Sequence, residues 1–101
     1  MRRREFTLDV RSANETGNPT NVQDLVDLVV EIGPASFTAT VQLQAQVIAG
    51  GPWAALGSAF TDAGGRLEIS SAFYAIRAAT SGYSAGALTG VGAGRDSRTD
   101  T

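Results

Sequence analysis

Phe37-Thr38-Ala39-Thr40-Val41-Gln42-Leu43-Gln44-Ala45-Gln46-Val47 alternates apolar and polar residues without a break. On a strand, successive side chains point to opposite faces. Phe37, Ala39, Val41, Leu43, Ala45 and Val47 then line one face, and Thr38, Thr40, Gln42, Gln44 and Gln46 the other. A helix would scatter the same apolar residues around its circumference. The stretch reads as a strand with one buried face. Its other face is uncharged Thr and Gln, either solvated or a candidate for hydrogen-bonded packing against a neighbour.

The same period continues on both sides. Phe6, Leu8 and Val10 alternate with Glu5, Thr7, Asp9 and Arg11. Residues 12–23 are polar and rich in Asn, with Val22 the one plausible core residue, and read as a long surface loop. Val26, Leu28, Val30 and Ile32 share a face of a second strand over 24–32. Leu25, Leu28, Val29 and Ile32 also fit helical spacing, but the β-branched content and the Gly33-Pro34 stop favour a strand. Gly50-Gly51-Pro52 turns the chain into a fourth strand from Trp53 to Phe60, and residues 61–65 turn it again. Leu67 and Ile69 mark a fifth strand, residues 73–79 a sixth, residues 81–84 a turn, and residues 85–91 a seventh.

The expected fold is therefore all-β, a single antiparallel β-sandwich, jelly-roll or immunoglobulin-like, of about seven strands. The expected inward residues are Phe6, Leu8, Leu28, Val30, Phe37, Val41, Leu43, Val47, Trp53, Leu67, Ile69 and Ile76. Residues 1–4 read as a basic N-terminal arm, 5–92 as the sandwich domain and 93–101 as a flexible polar tail.

Composition narrows the chemistry. The 101 residues suffice for one small domain, and 43% hydrophobic content is globular. Net charge is −2, so no global polycation speaks for nucleic acid. All eight basic residues are Arg, and there is no His, Cys or Lys. That excludes disulfides, Cys/His zinc sites, thiol nucleophiles, His general bases and Schiff-base lysines. Carboxylates, hydroxyls and Arg remain, so the composition points away from enzymes and implies no cofactor. Acidic residues interrupt the N-terminal stretch that a signal peptide needs apolar, and no apolar run spans a membrane. The expectation is a soluble product made in a cytoplasm, with no membrane partner.

Gly82-Tyr83-Ser84-Ala85-Gly86 matches the G-x-S-x-G elbow of hydrolases, but the chain has no His to complete a triad, and a strand rather than a helix follows. It reads as a turn. Gly90-Val91-Gly92-Ala93-Gly94 resembles a phosphate-cradling loop but lacks room for a packed helix behind it, and reads as a flexible strand end. Asn14-Glu15-Thr16 is formally a glycosylation sequon, without a signal peptide to give it meaning. Asp24, Asp27, Glu31 and Asp62 form no compact run of hard-cation ligands. Arg2-Arg3-Arg4 concentrates positive charge before the first core residue, as a solvated end or as an arm that grips acidic surface.

The order of features from Phe37 onward resembles small β-sandwich virion proteins of tailed bacteriophages. The carriers are the Val-x-Leu strand Thr40-Val41-Gln42-Leu43-Gln44, a glycine turn leading to Trp53, and the aromatic strand Phe73-Tyr74-Ala75-Ile76-Arg77-Ala78. The Thr80-Ser81 turn and a last strand begun by Gly86 follow. Ala49-Gly50-Gly51-Pro52 departs from the Asp-Gly turn of that pattern. The resemblance covers the C-terminal two thirds. It implies a structural, non-enzymatic particle protein: a capsid decoration or cement protein on the head exterior, contacting the major capsid protein, or else a neck or tail component. A homo-oligomer is expected, with a trimer suiting three-fold capsid joints. A third reading is a carbohydrate- or surface-binding module using Trp53, Tyr74 and Tyr83. The candidate partner contacts are Arg2, Arg3, Arg4, Thr38, Thr40, Gln42, Gln44 and Gln46.

Overall fold

A computed structural model describes residues 3–70 and 72–96. Seven strands follow in chain order: β1 Arg3–Leu8, β2 Thr20–Asn21, β3 Leu25–Gln46, β4 Trp53–Ala55, β5 Phe60–Ile69, β6 Ala75–Ala85 and β7 Thr89–Asp96. All pairings are antiparallel, and the described residues contain no helix. No helix long and apolar enough to cross a membrane occurs among them.

β3 organises the molecule. The two strands expected on either side of Gly33-Pro34 are one strand of 22 residues. Its N-terminal half lies between β7 and β5, its C-terminal half between β6 and β4 with the start of β5. β1 extends the first half beyond β7, and β2 extends the second beyond β6. The result is one hydrogen-bonded sheet curled into a half-barrel, 47 × 27 × 19 Å, because β3 runs through both halves.

The expected stops became irregularities within long strands. Pro34 cannot donate to the ladder, and the pairing with β5 jumps from Ile32↔Gly65 to Ser36↔Ala63, leaving the proline outside it. The expected turn at 61–65 lies inside β5. Asp62 takes a positive φ there, and its Oδ1 accepts the Ala39 N–H at 3.1 Å. Gly64 permits the close approach at this bend, since a Cβ on it would collide with the carbonyl oxygens of Ile32 and Pro34. The turn expected at 81–84 is likewise an irregularity in β6, with Gly82 at φ 61°.

The core is a single cluster. Leu8, Leu25, Leu28, Val30, Val41, Leu43 and Ile76 are almost fully buried, and Phe37, Ile69 and Leu88 close it. Leu25 rather than Val26 points inward, because a bulge between Val26 and Val29 inserts one residue and reverses the alternation. Phe6 and Leu67 pack at the rim of the core. Val47 does not enter it. The ladder ends at Gln46, whose Nε2 donates to the Gly51 carbonyl at 2.8 Å, and Val47 is 69% exposed in the turn beyond. Trp53 is half-buried on the outer face.

Residues 9–22 are not a free surface loop. Arg11 binds both carboxylate oxygens of Asp9 and also Glu15, and the Asn18 N–H donates to Asp9 at 2.9 Å. The segment then runs along β6. Gly17 N–H donates to the Ala78 carbonyl, Thr80 N–H to that of Glu15, and Val22 N–H to that of Tyr74. It covers the edge that β6 would otherwise expose, and Val22 is fully buried.

Candidate partner-binding surface

The outward face of the C-terminal half of β3 carries the expected Thr/Gln row, but most of it is engaged within the chain. Gln42 Nε2 donates to the Leu43 carbonyl at 2.7 Å and to that of Gly57 at 3.2 Å, tying down the segment between β4 and β5. Gln44 Oε1 accepts the Arg77 Nε–H at 2.6 Å. Gln46 is buried and holds the β3–β4 turn. Thr38 is exposed and Thr40 half-buried. A carboxamide bonded to neighbouring carbonyls has less capacity left for a partner, which sequence alternation by itself does not disclose.

Arg77 stands at the centre of this face. Cross-strand register places it opposite Gln44, and its guanidinium carbon lies 4.2 Å from the centroid of the Trp53 ring. The planar cation therefore stacks on the indole and donates to Gln44 in one arrangement.

The expected arm is largely a strand. Arg2 lies outside the described residues. Arg3 and Arg4 belong to β1, opposite Arg95 and Gly94 of β7, because the period of Phe6 and Leu8 continues backwards to Arg4 and finds partners there. Both side chains are exposed, and Arg3 pairs with Glu5 at 3.1 Å. The expected tail starts too early as well, since β7 reaches Asp96.

β7 also explains the glycine run. Gly90, Gly92 and Gly94 share its inner face, where Val10, Phe6 and Leu28 respectively occupy the space a Cβ would need. They form neither a phosphate loop nor a loose end. The intervening Val91 and Ala93 therefore face outward. With Val29 they floor a shallow groove rimmed by Arg3, Glu5, Glu31 and Arg66. Val91 is 49% exposed. A second apolar surface lies at the β3–β4 turn, where Val47 and Ile48 are 69% and 64% exposed beside Phe73 and Tyr74. Neither surface was expected. The strict spacing of glycines at 90, 92 and 94 is the signal that could have revealed the first.

The remaining motifs resolve into structural contacts. Ser84 is exposed at the end of β6, and the Tyr83 hydroxyl donates to the Gly86 carbonyl at 2.6 Å. Asn14 Oδ1 accepts the Tyr83 N–H at 2.7 Å. Asp27 pairs with Arg95 and Asp62 with a backbone amide, and no cluster of metal-binding side chains occurs among the described residues. The Arg11 hydrogen bond, the Asn18 N–H and the Arg11 charge together hold the Asp9 carboxyl below its ordinary range.

No protein-family model matches the chain, and no curated protein does. Among solved structures, the crystal structure of PirA superposes with a TM-score of 0.46 and 17% identity, over 92% of this chain and 92% of that one. A likeness at that level transfers no property from one chain to the other.

Proposed function

We propose that this protein is a non-enzymatic structural component of a bacteriophage particle, a capsid decoration protein that binds the head exterior and bridges joints between major capsid subunits. In this reading the two halves of the bent sheet serve as the layers of a small sandwich. The observation that carries it is the Gln44–Arg77–Trp53 contact. Three separate features of the resemblance, the Val-x-Leu strand, the Trp after the glycine turn and the Arg of the aromatic strand, meet there as one structural unit. The mechanism is adhesive. Repeated over many copies, a modest contact from the Val47–Ile48 tip or the Val29–Val91–Ala93 groove raises the barrier to separating capsid subunits. Antibodies against the chain, applied to particles purified from its source culture, are expected to label head exteriors at regular density. Label confined to the neck or tail assigns the alternative particle role, and absence of the chain from purified particles refutes both.

A further inference from the structure

The sheet leaves its edges unequally protected. Residues 9–22 cover β6, as described above. β5 pairs with β3 on one side, and among the described residues no other strand pairs with it. An unpaired strand edge presents a row of backbone donors and acceptors that can template a further strand. Beneath this edge, Leu56, Phe60 and Leu67 are only partly buried against the core, with Leu67 packed on Gly57 and Phe60 on Gly65. On the outer face, Arg66 and Glu68 are both well exposed and form a loose ion pair with each other at 3.7 Å, which pairing with the same residues of a second copy would exchange for cross-strand contacts.

We propose that β5 is the interface between two copies of this chain, paired antiparallel edge to edge about a two-fold axis at Leu67. Side chains directly opposite one another in an antiparallel pair lie on the same face. With Leu67 opposite Leu67 of the second copy, Arg66 falls opposite Glu68 of that copy, and Glu68 opposite its Arg66. Charged residues usually guard an edge against association because like meets like. In this register they are complementary, and the pairing closes on itself as a dimer. The inward side chains agree with it, since Leu67 meets its own copy where the core is incompletely covered. β1, the opposite edge of that half, is a poorer match. Pairing it with itself about Glu5 sets carboxylate against carboxylate. Pairing it about Arg4 does set Arg3 opposite Glu5, but it places guanidinium against guanidinium on the axis, where β5 places leucine against leucine. The dimer would join the two halves of β1, β7, β3 and β5 into one continuous sheet, carrying the Val29–Val91–Ala93 groove twice on its outer face. The pairing does not depend on the virion reading.

The test is sedimentation equilibrium on the full chain and on charge variants at these two exposed positions, with circular dichroism confirming that each is folded. The native chain is expected to dimerise. Arg66→Glu and Glu68→Arg each place like charges opposite one another twice and should weaken dimerisation by about tenfold or more, which is about 1.4 kcal/mol. The double exchange Arg66→Glu/Glu68→Arg restores opposite charges and should recover the native affinity. An equimolar mixture of the two single variants should form the mixed dimer. A native chain that stays monomeric at millimolar concentration, one that forms trimers, or dimers indifferent to both single changes would overturn the proposal.

Discussion

Thr80→Val should stabilise this protein. Thr80 is 5% exposed on the inward face of β6, opposite Val41, and its Oγ1 has no hydrogen-bond partner among the described residues. Its backbone N–H remains bonded to the Glu15 carbonyl in either variant. A hydroxyl taken out of water without compensation costs about 1–3 kcal/mol. Valine has nearly the same shape and the same branching at Cβ, so the substitution removes that cost and opens no cavity. A gain of about 1 kcal/mol is expected, the lower end of the range because the unfolded chain also differs slightly in hydration. For a domain of this length that raises Tm by roughly 4–8 °C. Thermal and urea unfolding followed by far-ultraviolet circular dichroism measure it, with the urea slope unchanged because the buried area is unchanged. Thr80→Ser is the control. It keeps the hydroxyl, loses the methyl, and should be less stable than the native chain. A lower Tm for Thr80→Val would show that the hydroxyl is bonded in solution, and the reasoning from its isolation would fail.

Gly64→Ala should destabilise by about 1–3 kcal/mol. Its Cβ meets backbone oxygens of Ile32 and Pro34 that cannot rotate aside, and the stiffening of the unfolded chain offsets only about 0.4–1 kcal/mol; chemical denaturation reads the difference. Arg77→Ala removes both the stack on Trp53 and the bond to Gln44, and should shift the fluorescence of the single tryptophan while costing about 1–2 kcal/mol. Arg77→Lys should restore little of this, since an ammonium lacks the planar fork. The lowered Asp9 pKa sets a direction with pH. The contribution of Asp9 is complete above the ordinary aspartate value of about 4 and is lost as pH falls through the lower folded-state value. The protection of the Asn18 amide, measured against the intrinsic exchange rate at each pH, should therefore fall in acid, modestly because the pair is more than a third exposed, and Asp9→Asn should abolish that change in protection.

Alternation of apolar and polar residues is enough to make this chain all-β and to say which face of most strands is wet. Alternation over Phe37–Ala45, Leu28–Ile32 and Phe6–Leu8 is a local property of strand geometry, and burial follows it residue by residue. Even Val22, alone in a polar stretch, was legible as core. Connectivity was not legible. Gly33-Pro34, Asp62-Ala63-Gly64 and Ser81-Gly82 carry turn chemistry, but a glycine or a positive φ serves a turn and a bulge equally well. Only the neighbouring strand, continuing past the irregularity, decides between them. The same holds for the surface. The amides of Gln42, Gln44 and Gln46 looked available because alternation places them outward, and the segments that fold back over them lie five to more than thirty residues away. Gly90, Gly92 and Gly94 looked like looseness until Phe6, Val10 and Leu28 were brought across them. Local periodicity sets the direction of a side chain. What that side chain meets is set by partners distant in sequence, and those only the tertiary structure assembles.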